Sequence, residues 1–379
     1  MNFLLDDDHK MVRETARAFA EEVLAPGAAE RDEKEIYPAE AVKQMAELGF
    51  LGVTVPEKYG GAGMDYLAYA LIMEEIARVD ASAAVVIDVN NSLVCDTFQM
   101  FGNEEQKQKY LVPLAKGEKL SAFALTEPGA GSDPASLITG YRQEGDLYIL
   151  NGTKRFITNA AHADVLIVFA TKDRSMGYKG ISAFIVEKDF PGFSVTKKEK
   201  KLGIRASDTC ELAFEDCRVP VENLIGPEGK GLRTALSALD NGRIGIAGQA
   251  LGIAQGAFDA ALAYSKERKQ FGKTISEFQG IQFKLAEMVT ELEAARLLTY
   301  QAAWRKDRGL DYVLEAAMAK LKTSAVAVKL TNEAVQIHGG YGYITDFPVE
   351  RFFRDAKITE IYEGTSEIQK IVIARKLLK

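Results

Sequence analysis

The sequence is poor in the residues from which many catalytic sites are built. Its 379 residues include only three histidines and three cysteines. None of His9, His162 and His338 lies at metal-ligand spacing from another histidine or a cysteine, so neither a histidine-based zinc site nor a Ser-His-Asp hydrolase is expected. An odd number of cysteines without a Cys-x-x-Cys motif predicts reduced thiols in a cytoplasmic protein. Any chemistry must therefore depend on carboxylates, backbone donors or a bound cofactor.

Excess positive charge and long apolar runs are lacking too. Lys and Arg number 47 against 54 Asp and Glu, which gives a net charge of −7. This mild acidity argues against nucleic-acid binding, and no apolar run is long enough to span a membrane. Residues 1–8 resemble neither a secretion signal nor an organelle transit peptide. We therefore expect a cytoplasmic protein with no nucleic-acid or membrane partner.

The spacing of apolar residues changes twice along the chain. Apolar residues recur at helical spacing in the first third, short β-rich runs separated by turns follow, and long helical patterns return to the end. We expect an N-terminal helical domain (1–117), a central β domain (118–225) and a C-terminal helical bundle (226–379). No helix-length pattern interrupts the β-rich runs, which favours an antiparallel sheet or barrel over a βαβ array.

One carboxylate near the C-terminus lies between two predicted helices. In residues 361–367, Glu363 precedes a glycine, and Thr365 or Ser366 can cap the following helix. A loop carboxylate held between rigid elements is typical of a positioned general base. The ordinary alternative is a solvated loop glutamate beside a capping residue.

A glycine-rich turn follows the first predicted strand, in residues 123–133. Gly129 and Gly131 allow the backbone N–H groups to approach an anion closely, and Thr126 and Ser132 add hydroxyl donors. This pattern is compatible with a pyrophosphate or the polar edge of a flavin, and also with a plain turn.

A second β-rich stretch, residues 151–159, places Phe156 two residues before Thr158. On a strand these side chains share a face. They could cover one edge of a planar ring system, or they could be a core aromatic beside an ordinary strand threonine.

Three further stretches carry weaker signals. In residues 267–273, with Gln279 beyond, basic residues and an aromatic at a helix end could bind a phosphate and stack on adenine, or could simply be solvated. The paired glycines in residues 336–343 could expose backbone donors or only end a helix. In residues 240–243 an aspartate and an arginine flank a glycine, which could also be a structural salt bridge.

Together and in this order, the motifs resemble the acyl-CoA dehydrogenase family over essentially the whole chain. Residues 124–133 resemble the family's first signature. Residues 336–343, with Asp346, Arg351 and Asp355 at the expected offsets, resemble the second.

The resemblance implies an α+β multidomain fold: an N-terminal α-helical domain, a central antiparallel β-barrel-like domain and a C-terminal four-helix bundle. It implies a homotetramer with FAD at the junction of domains and subunits. It also implies oxidation of an acyl-CoA thioester to the trans-2-enoyl-CoA, with electrons passed to an electron-transfer flavoprotein.

Carried over residue by residue, the resemblance makes Glu363 the base that removes the α-proton. The residues expected at FAD are Phe123, Ala124, Leu125, Thr126, Gly131, Ser132, Phe156, Ile157, Thr158, Arg268, Phe271, Gln279, Gln336, Ile337, Gly339, Gly340, Thr365, Ser366 and Glu367. Those expected at the substrate are Ser132, Asp240, Arg243, Gln249 and Gly364. Many family members have tryptophan where this chain has Phe156, which weakens the expected shielding of the flavin edge.

Chain-length preference is indicated by the stretch 240–252, which is most similar to short-chain, butyryl-type members. A Gln249 side chain reaching into the acyl tunnel would shorten it. Alternatives are a branched short-chain or medium-chain dehydrogenase, an oxidase of the same fold that uses oxygen, and a non-catalytic binding protein that keeps the fold.

Overall fold

The computed structural model describes residues 5–378, and the chain begins with a layer of helices. Asp65 and Asp80 each cap one of them, since their carboxylates accept backbone N–H bonds from Ala68 (2.8 Å) and Ser82 (3.0 Å). The two capped helices are buried around nearly their whole circumference, as expected inside a helical layer. The helices here are α1 (Asp7–Phe19), α2 (Ala28–Lys34), α3 (Ala39–Glu47), α4 (Tyr66–Ala77), α5 (Ala81–Asp88), α6 (Asp96–Phe101), α7 (Glu104–Gln106) and α8 (Val112–Ala115).

The middle of the chain forms one sheet of eight strands. The strands are β1 (Ser121–Ala124), β2 (Gly140–Glu144), β3 (Leu147–Thr158), β4 (Val165–Thr171), β5 (Ile181–Glu187), β6 (Phe193–Lys198), β7 (Thr209–Pro220) and β8 (Leu224–Ile225). Hydrogen-bonded neighbours follow the order β6-β7-β3-β2-β4-β5-β8, and β1 pairs with β4. The β1–β4 and β2–β4 pairs are parallel, and the other pairs are antiparallel.

The predicted antiparallel barrel is therefore wrong, because the sheet is mixed and no strand pair among residues 5–378 closes it. Ser121 lies opposite Val165 in the parallel β1–β4 pair. The β2–β3 hairpin separates these two strands along the chain, so β4 can return beside β1 in the same direction. Alternation of apolar residues identifies strands but does not encode which strands pair or in which direction.

The last part of the chain is helical again. Its elements are α9 (Gly231–Glu267), β9 (Lys269–Gln270), β10 (Lys273–Thr274), α10 (Gln279–Asp307), α11 (Val313–His338), α12 (Val349–Ala356) and α13 (Ser366–Leu377). Helix α11 packs along α9, and α10 lies against both. The exact domain boundaries stay predictions, and their outermost residues, 1–4 and 379, lie outside the described residues.

A row of glycines lets α9 pack closely against the N-terminal helices. A Cβ on Gly248 would lie 2.9 Å from the Cβ of Met73, and a Cβ on Gly252 would overlap the backbone of α4. At the same helix, Gly242 and Gly245 face carboxyl groups rather than backbone. This row therefore determines how near α9 comes to the site described below.

The apolar core has two parts, on opposite faces of the sheet. The larger part joins the N-terminal helices, one sheet face and the C-terminal helices, and it includes Phe123 and Ile167. The smaller part covers the other face around Phe184. All three cysteines are free and buried. Within residues 5–378, no helix has the length and apolar character needed to cross a membrane.

Candidate active site

A cavity of about 190 Å³ lies where the helical layers meet the end of β1 and β3. The helical layers contribute Val85, Val89, Leu93, Leu236, Leu239, Arg243 and Ile368, the β region contributes Phe123, Leu125, Thr126, Gly131, Ser132, Pro134, Phe156, Ile157 and Thr158, and the C-terminal loop contributes Tyr362, Glu363 and Gly364. Eleven of the site residues singled out from the sequence, Glu363 among them, thus line one cavity.

The loop that carries Glu363 connects a 3₁₀ turn, Lys357–Glu360, to α13. Its two central residues adopt left-handed backbone angles, with φ of 52° at Glu363 and 90° at Gly364. Such angles are unusual for a residue with a side chain and persist only where surrounding contacts enforce them. The contacts here are the Thr365 hydroxyl, which caps α13 by accepting the Ile368 N–H (3.3 Å), and two donors to the Gly364 carbonyl.

Those donors come from two helices. The Gln369 Nε2 of α13 lies 2.9 Å from the Gly364 carbonyl oxygen, and the Lys320 Nζ of α11 lies 2.7 Å from it. Lys320 is fully buried, and burial lowers the pKa of its ammonium to about 8. The loop is therefore fixed both locally and to a separate helix.

The Glu363 carboxyl is held in an environment that disfavours its charge. Its Oε2 is buried and has no hydrogen-bond partner among residues 5–378. Burial raises the pKa of Glu363 well above the usual glutamate range, and the negative charge of Asp88 raises it further, whereas Lys320 and Arg243 lower it. The side chain is half-buried, and its open part lines the cavity.

Asp88, at the end of α5, is the carboxyl group that faces Glu363. It is fully buried, and its Oδ1 accepts hydrogen bonds from the Tyr69 hydroxyl (2.6 Å) and the Ser92 hydroxyl (3.0 Å). Burial raises the pKa of Asp88, while the hydrogen bonds from Tyr69 and Ser92 lower it. The charge of Asp88 therefore opposes ionisation of Glu363.

A positive group lines the cavity from α9. Arg243 is buried and pairs with Asp240 one turn earlier on the helix. Its Nε is buried without a partner among the described residues. Asp240 itself does not line the cavity, although it neutralises the guanidinium that does.

The cavity lining that the β region contributes combines apolar and hydroxyl side chains, as a planar ring with a polar edge requires. Phe123 and Ile157 contribute apolar side chains to the lining, and Thr126, Ser132 and Thr158 contribute hydroxyl groups. A Cβ on Gly131 would meet nothing within 4 Å, so its backbone is open to a ligand. These residues fit the isoalloxazine ring of FAD.

Phe156 lies at the rim of this wall, with a left-handed φ of 60° and a side chain that is 58% exposed. The irregular pairing of β3 with β7 between Lys154 and Ile157 turns its ring outward. The expected regular alternation from Phe156 to Thr158 is interrupted by this bulge. Both residues nevertheless line the cavity.

Gln249 does not reach the cavity directly. It is fully buried on α9, where its Nε2 donates to the Ala81 carbonyl (2.8 Å) and its Oε1 accepts from the Tyr362 hydroxyl. Tyr362 does line the cavity. Gln249 therefore acts on the cavity through Tyr362.

The remaining predicted residues lie elsewhere in the single chain. Arg268, Ile337, Gly339 and Gly340 line a separate cavity of about 510 Å³. Thr365, Ser366 and Glu367 line a groove of about 560 Å³ beside α11. Phe271, Gln279 and Gln336 are exposed, and Ala124 is buried in the sheet.

Two residues of the site were missed from the sequence, Asp88 and Lys320. Asp88 is a lone charged residue within an apolar stretch, and Lys320 follows the apolar run of residues 316–319 two residues before Lys322. That pattern is itself a signal, because an ionisable group on a buried helix face needs a partner. No group of three or more side chains suited to a metal ion occurs in the described part of the chain.

Comparison with known proteins places these features in a family context. Three family models match in succession: the N-terminal domain of acyl-CoA dehydrogenase at residues 6–118, the middle domain at 122–217 and the C-terminal domain at 229–378. A short-chain-specific acyl-CoA dehydrogenase of Clostridium acetobutylicum is 54% identical over 379 residues, which cover 100% of both chains.

Solved structures of similar sequence have the same fold as this chain. The chain superposes on butyryl-CoA dehydrogenase from Megasphaera elsdenii with a TM-score of 0.98 and 49% identity, covering 100% of both chains. A chain in the structure described as the electron transferring flavoprotein of Acidaminococcus fermentans gives a TM-score of 0.99 and 52% identity, again over 100% of both.

Proposed function

Because this chain belongs to the acyl-CoA dehydrogenase family, we propose that Glu363 is the base that removes the α-proton of an acyl-CoA thioester. The enzyme is an FAD-dependent oxidoreductase. The observation that carries the proposal is the Glu363 carboxyl in the cavity, with a buried Oε2 that has no partner among residues 5–378. Its raised pKa favours a base that can hold the abstracted proton.

The backbone of the same residue can assist the proton transfer. The Glu363 N–H has no backbone acceptor in the described part of the chain. A donor aimed at the thioester carbonyl would stabilise the developing enolate, and one such donor is typically worth about 3 kcal/mol. Glu363 would then act twice, through its carboxylate on the α-proton and through its N–H on the carbonyl.

The cofactor would be held by Thr126, Ser132, Phe156 and Thr158, which edge the cavity. When bound, FAD supplies the acceptor for the hydride that leaves the β-carbon. The chain's own residues orient the ring and exclude water. Arg243, supported by Asp240, is the group that we assign to the anionic CoA side.

A second copy of the chain would complete the cofactor site. Arg268, Gly339 and Gly340 line a cavity separate from the one that holds Glu363, and the Phe271 ring is 92% exposed. We assign these residues to FAD bound mainly by a neighbouring subunit of a homotetramer. In that assembly α9, α10, α11 and α13 would form the four-helix bundle of each subunit.

The preferred substrate would be a short straight-chain acyl-CoA. Gln249 links the Tyr362 hydroxyl to the Ala81 carbonyl and so holds the Tyr362 ring in the cavity lining. The similarity to a short-chain-specific enzyme and to a butyryl-CoA dehydrogenase supports this choice. Electrons would leave to an electron-transfer flavoprotein, in keeping with the similarity to a chain of such a structure. A cytoplasmic location stays a prediction.

The test uses the FAD-loaded protein and the Glu363→Gln variant. Straight acyl-CoA substrates from C4 to C12, with isobutyryl-CoA, are mixed anaerobically with each, and bleaching of the flavin is followed. We expect fastest bleaching with butyryl-CoA. In Glu363→Gln the reduction should slow by at least about 10²-fold while substrate still binds.

Near-normal reduction in Glu363→Gln would remove Glu363 from its role. Hydrogen peroxide formed with substrate, in the absence of an electron-transfer flavoprotein, would identify an oxidase. Fastest reduction by a C8 to C12 substrate would overturn the short-chain assignment and leave the base assignment intact.

A further inference from the structure

Helix α11 holds the Glu363 loop at two points. One turn apart on this helix, the Lys320 Nζ donates to the Gly364 carbonyl (2.7 Å) and the Ser324 hydroxyl donates to the Thr359 carbonyl (2.8 Å). Both side chains are fully buried. Because the two carbonyls lie on either side of Glu363, the loop is fixed to α11 before and after the base.

The two contacts differ in charge. Ser324 shows that a neutral donor is enough to hold a carbonyl here. An ammonium group is expensive to bury without a counter-charge, and Lys320 has one hydrogen bond among the described residues, to a neutral carbonyl. The positive end of the α13 dipole begins at Ser366, close to the same loop, and disfavours a cation there. A role as a simple tether therefore does not account for the charge.

The charge acts on the carboxylate of the neighbouring residue. Lys320 binds the carbonyl of Gly364, the residue that follows Glu363, and the attraction between the Lys320 and Glu363 charges opposes the effect of burial on both groups. The ionisable groups that face the pair from the surrounding elements are Asp88 and Tyr69 of the N-terminal helices, Arg243 of α9, and Glu360, Tyr362 and Glu367 of the C-terminal loop.

We infer that Lys320 is a positioning residue for the base: its hydrogen bond holds the left-handed Glu363–Gly364 turn, and its charge keeps the Glu363 carboxylate available for proton abstraction. This inference rests on the proposed function of Glu363. It assigns Lys320 no contact with substrate or cofactor.

The first experiment compares Lys320→Met, Lys320→Arg and Ser324→Ala in the FAD-loaded enzyme, using single-turnover flavin reduction by butyryl-CoA from pH 6 to pH 9. Loss of the charge should raise the pKa of Glu363, so the acid limb of the rate profile should move to higher pH by about one unit in Lys320→Met. The rate at pH 7 should fall at least about 10-fold, with little change in KM. Lys320→Arg should keep the limb near its original pH.

Ser324→Ala is the matched control, because it removes the neutral contact of the same helix. Its rate should fall by a similar factor at every pH, without movement of the acid limb. A limb that stays in place in Lys320→Met, or moves equally in Ser324→Ala, would overturn the inference. Should Lys320→Met not fold, Lys320→Gln replaces it, with the same expected shift.

A second measurement needs no substrate. Burial lowers the pKa of Lys320 from 10.5 to about 8 in the folded chain, so the unfolded chain binds more protons between these values. Stability from this group must therefore rise with pH above about 8. The difference in melting temperature between the wild type and Lys320→Met should move in favour of the wild type from pH 7.5 to 9.5, and a constant difference would contradict the inferred buried charge. If no acyl-CoA reduced the wild-type flavin, the proposed function would fail, whereas this comparison would still test Lys320.

Discussion

Glu363 lies directly against Gly242 of α9, so that a Cβ at residue 242 would overlap the carboxyl oxygen Oε2. One turn further along the helix, Gly245 stands in the same relation to Oδ1 of Asp88. The two acids of the site are thus seated over adjacent turns of one helix that carries no side chain beneath them. The position of the base therefore depends on the absence of a side chain at Gly242 and Gly245.

Replacing Gly242 by alanine should displace the base. The added methyl group cannot coexist with Oε2 in its present position, and a displacement of about 1 Å in a reacting group can lower a rate by about 10²-fold. Alanine also favours a helix over glycine by up to about 1 kcal/mol, so the helix itself should not be weakened. Single-turnover flavin reduction by butyryl-CoA measures the loss, and circular dichroism reports the fold.

The matched control is Gly280→Ala on α10, where a Cβ would meet nothing within 4 Å. This variant should reduce its flavin at close to the wild-type rate. Comparable rates for Gly242→Ala and Gly280→Ala would show that the base is not confined by α9.

Replacing Asp88 by asparagine should make Glu363 more acidic. Burial is the main cause of the raised pKa of Glu363, and the negative charge of Asp88 adds to it. Asparagine removes the charge, so Glu363 ionises at lower pH and the acid limb of the rate profile moves down by about one unit. This direction is opposite to that expected for Lys320→Met. The rate of flavin reduction from pH 5.5 to 9 measures it.

Asp96→Asn supplies the comparison for Asp88→Asn. Burial raises the pKa of Asp96 to about 6, and its carboxyl accepts a hydrogen bond from Asn241 (2.9 Å) rather than facing Glu363. The limb should move much less in this variant. Equal shifts in both would mean that burial of any acid in this layer, not the Asp88–Glu363 contact, determines the profile.

Shortening Gln249 should lengthen the accepted acyl chain. In Gln249→Ala the Tyr362 hydroxyl loses its partner and the space behind the ring grows. One added methylene group in an apolar pocket is worth about 1–3 kcal/mol. We expect the ratio of kcat/KM for hexanoyl-CoA to that for butyryl-CoA to rise about 10-fold. Gln255→Ala, whose amide contacts Asp259 on the outer part of the same helix (2.7 Å), should leave the ratio unchanged.

The local elements of the site could be predicted because each depends on neighbours in sequence. Thr365 caps α13 as its position before the helix indicates, and the glycine-rich turn with Thr126 and Ser132 follows β1. The family resemblance supplied the role of Glu363, since an isolated loop glutamate has many ordinary explanations. These residue roles stay predictions until they are measured.

What could not be predicted depends on contacts between distant parts of the chain. The parallel pairing of Ser121 with Val165 turned the expected antiparallel barrel into an open mixed sheet. Asp88 lies on α5 and Lys320 on α11, and both come near Glu363 only when these helices pack around its loop. Periodicity reports which face of an element is buried, but it does not report which group lies opposite that face.

One buried ion pair stabilises the glycine-rich turn that follows β1 and contributes Ser132 to the cavity. Lys154 and Glu127 are 0% and 1% exposed, and their Nζ and Oε1 atoms lie 2.7 Å apart. The Glu127 carboxylate also accepts N–H bonds from Ile138 (2.6 Å) and Thr139 (2.9 Å). It therefore joins both ends of the turn that contains Ser132.

Lys154→Met should destabilise the protein by about 3–5 kcal/mol, because it leaves a buried carboxylate without its counter-charge. Burial alone would raise the pKa of Glu127, whereas Lys154 lowers it, so this variant should also retain less FAD at neutral pH than at mildly acidic pH. Urea unfolding and flavin content measure both effects. Lys188→Met removes an exposed partner of Asp164 (2.7 Å, side chain 52% exposed) and should cost less than about 1 kcal/mol. Glu127→Gln combined with Lys154→Met should recover part of the loss, and no recovery would mean that packing of the lysine stem, rather than the unpaired charge, stabilises this turn.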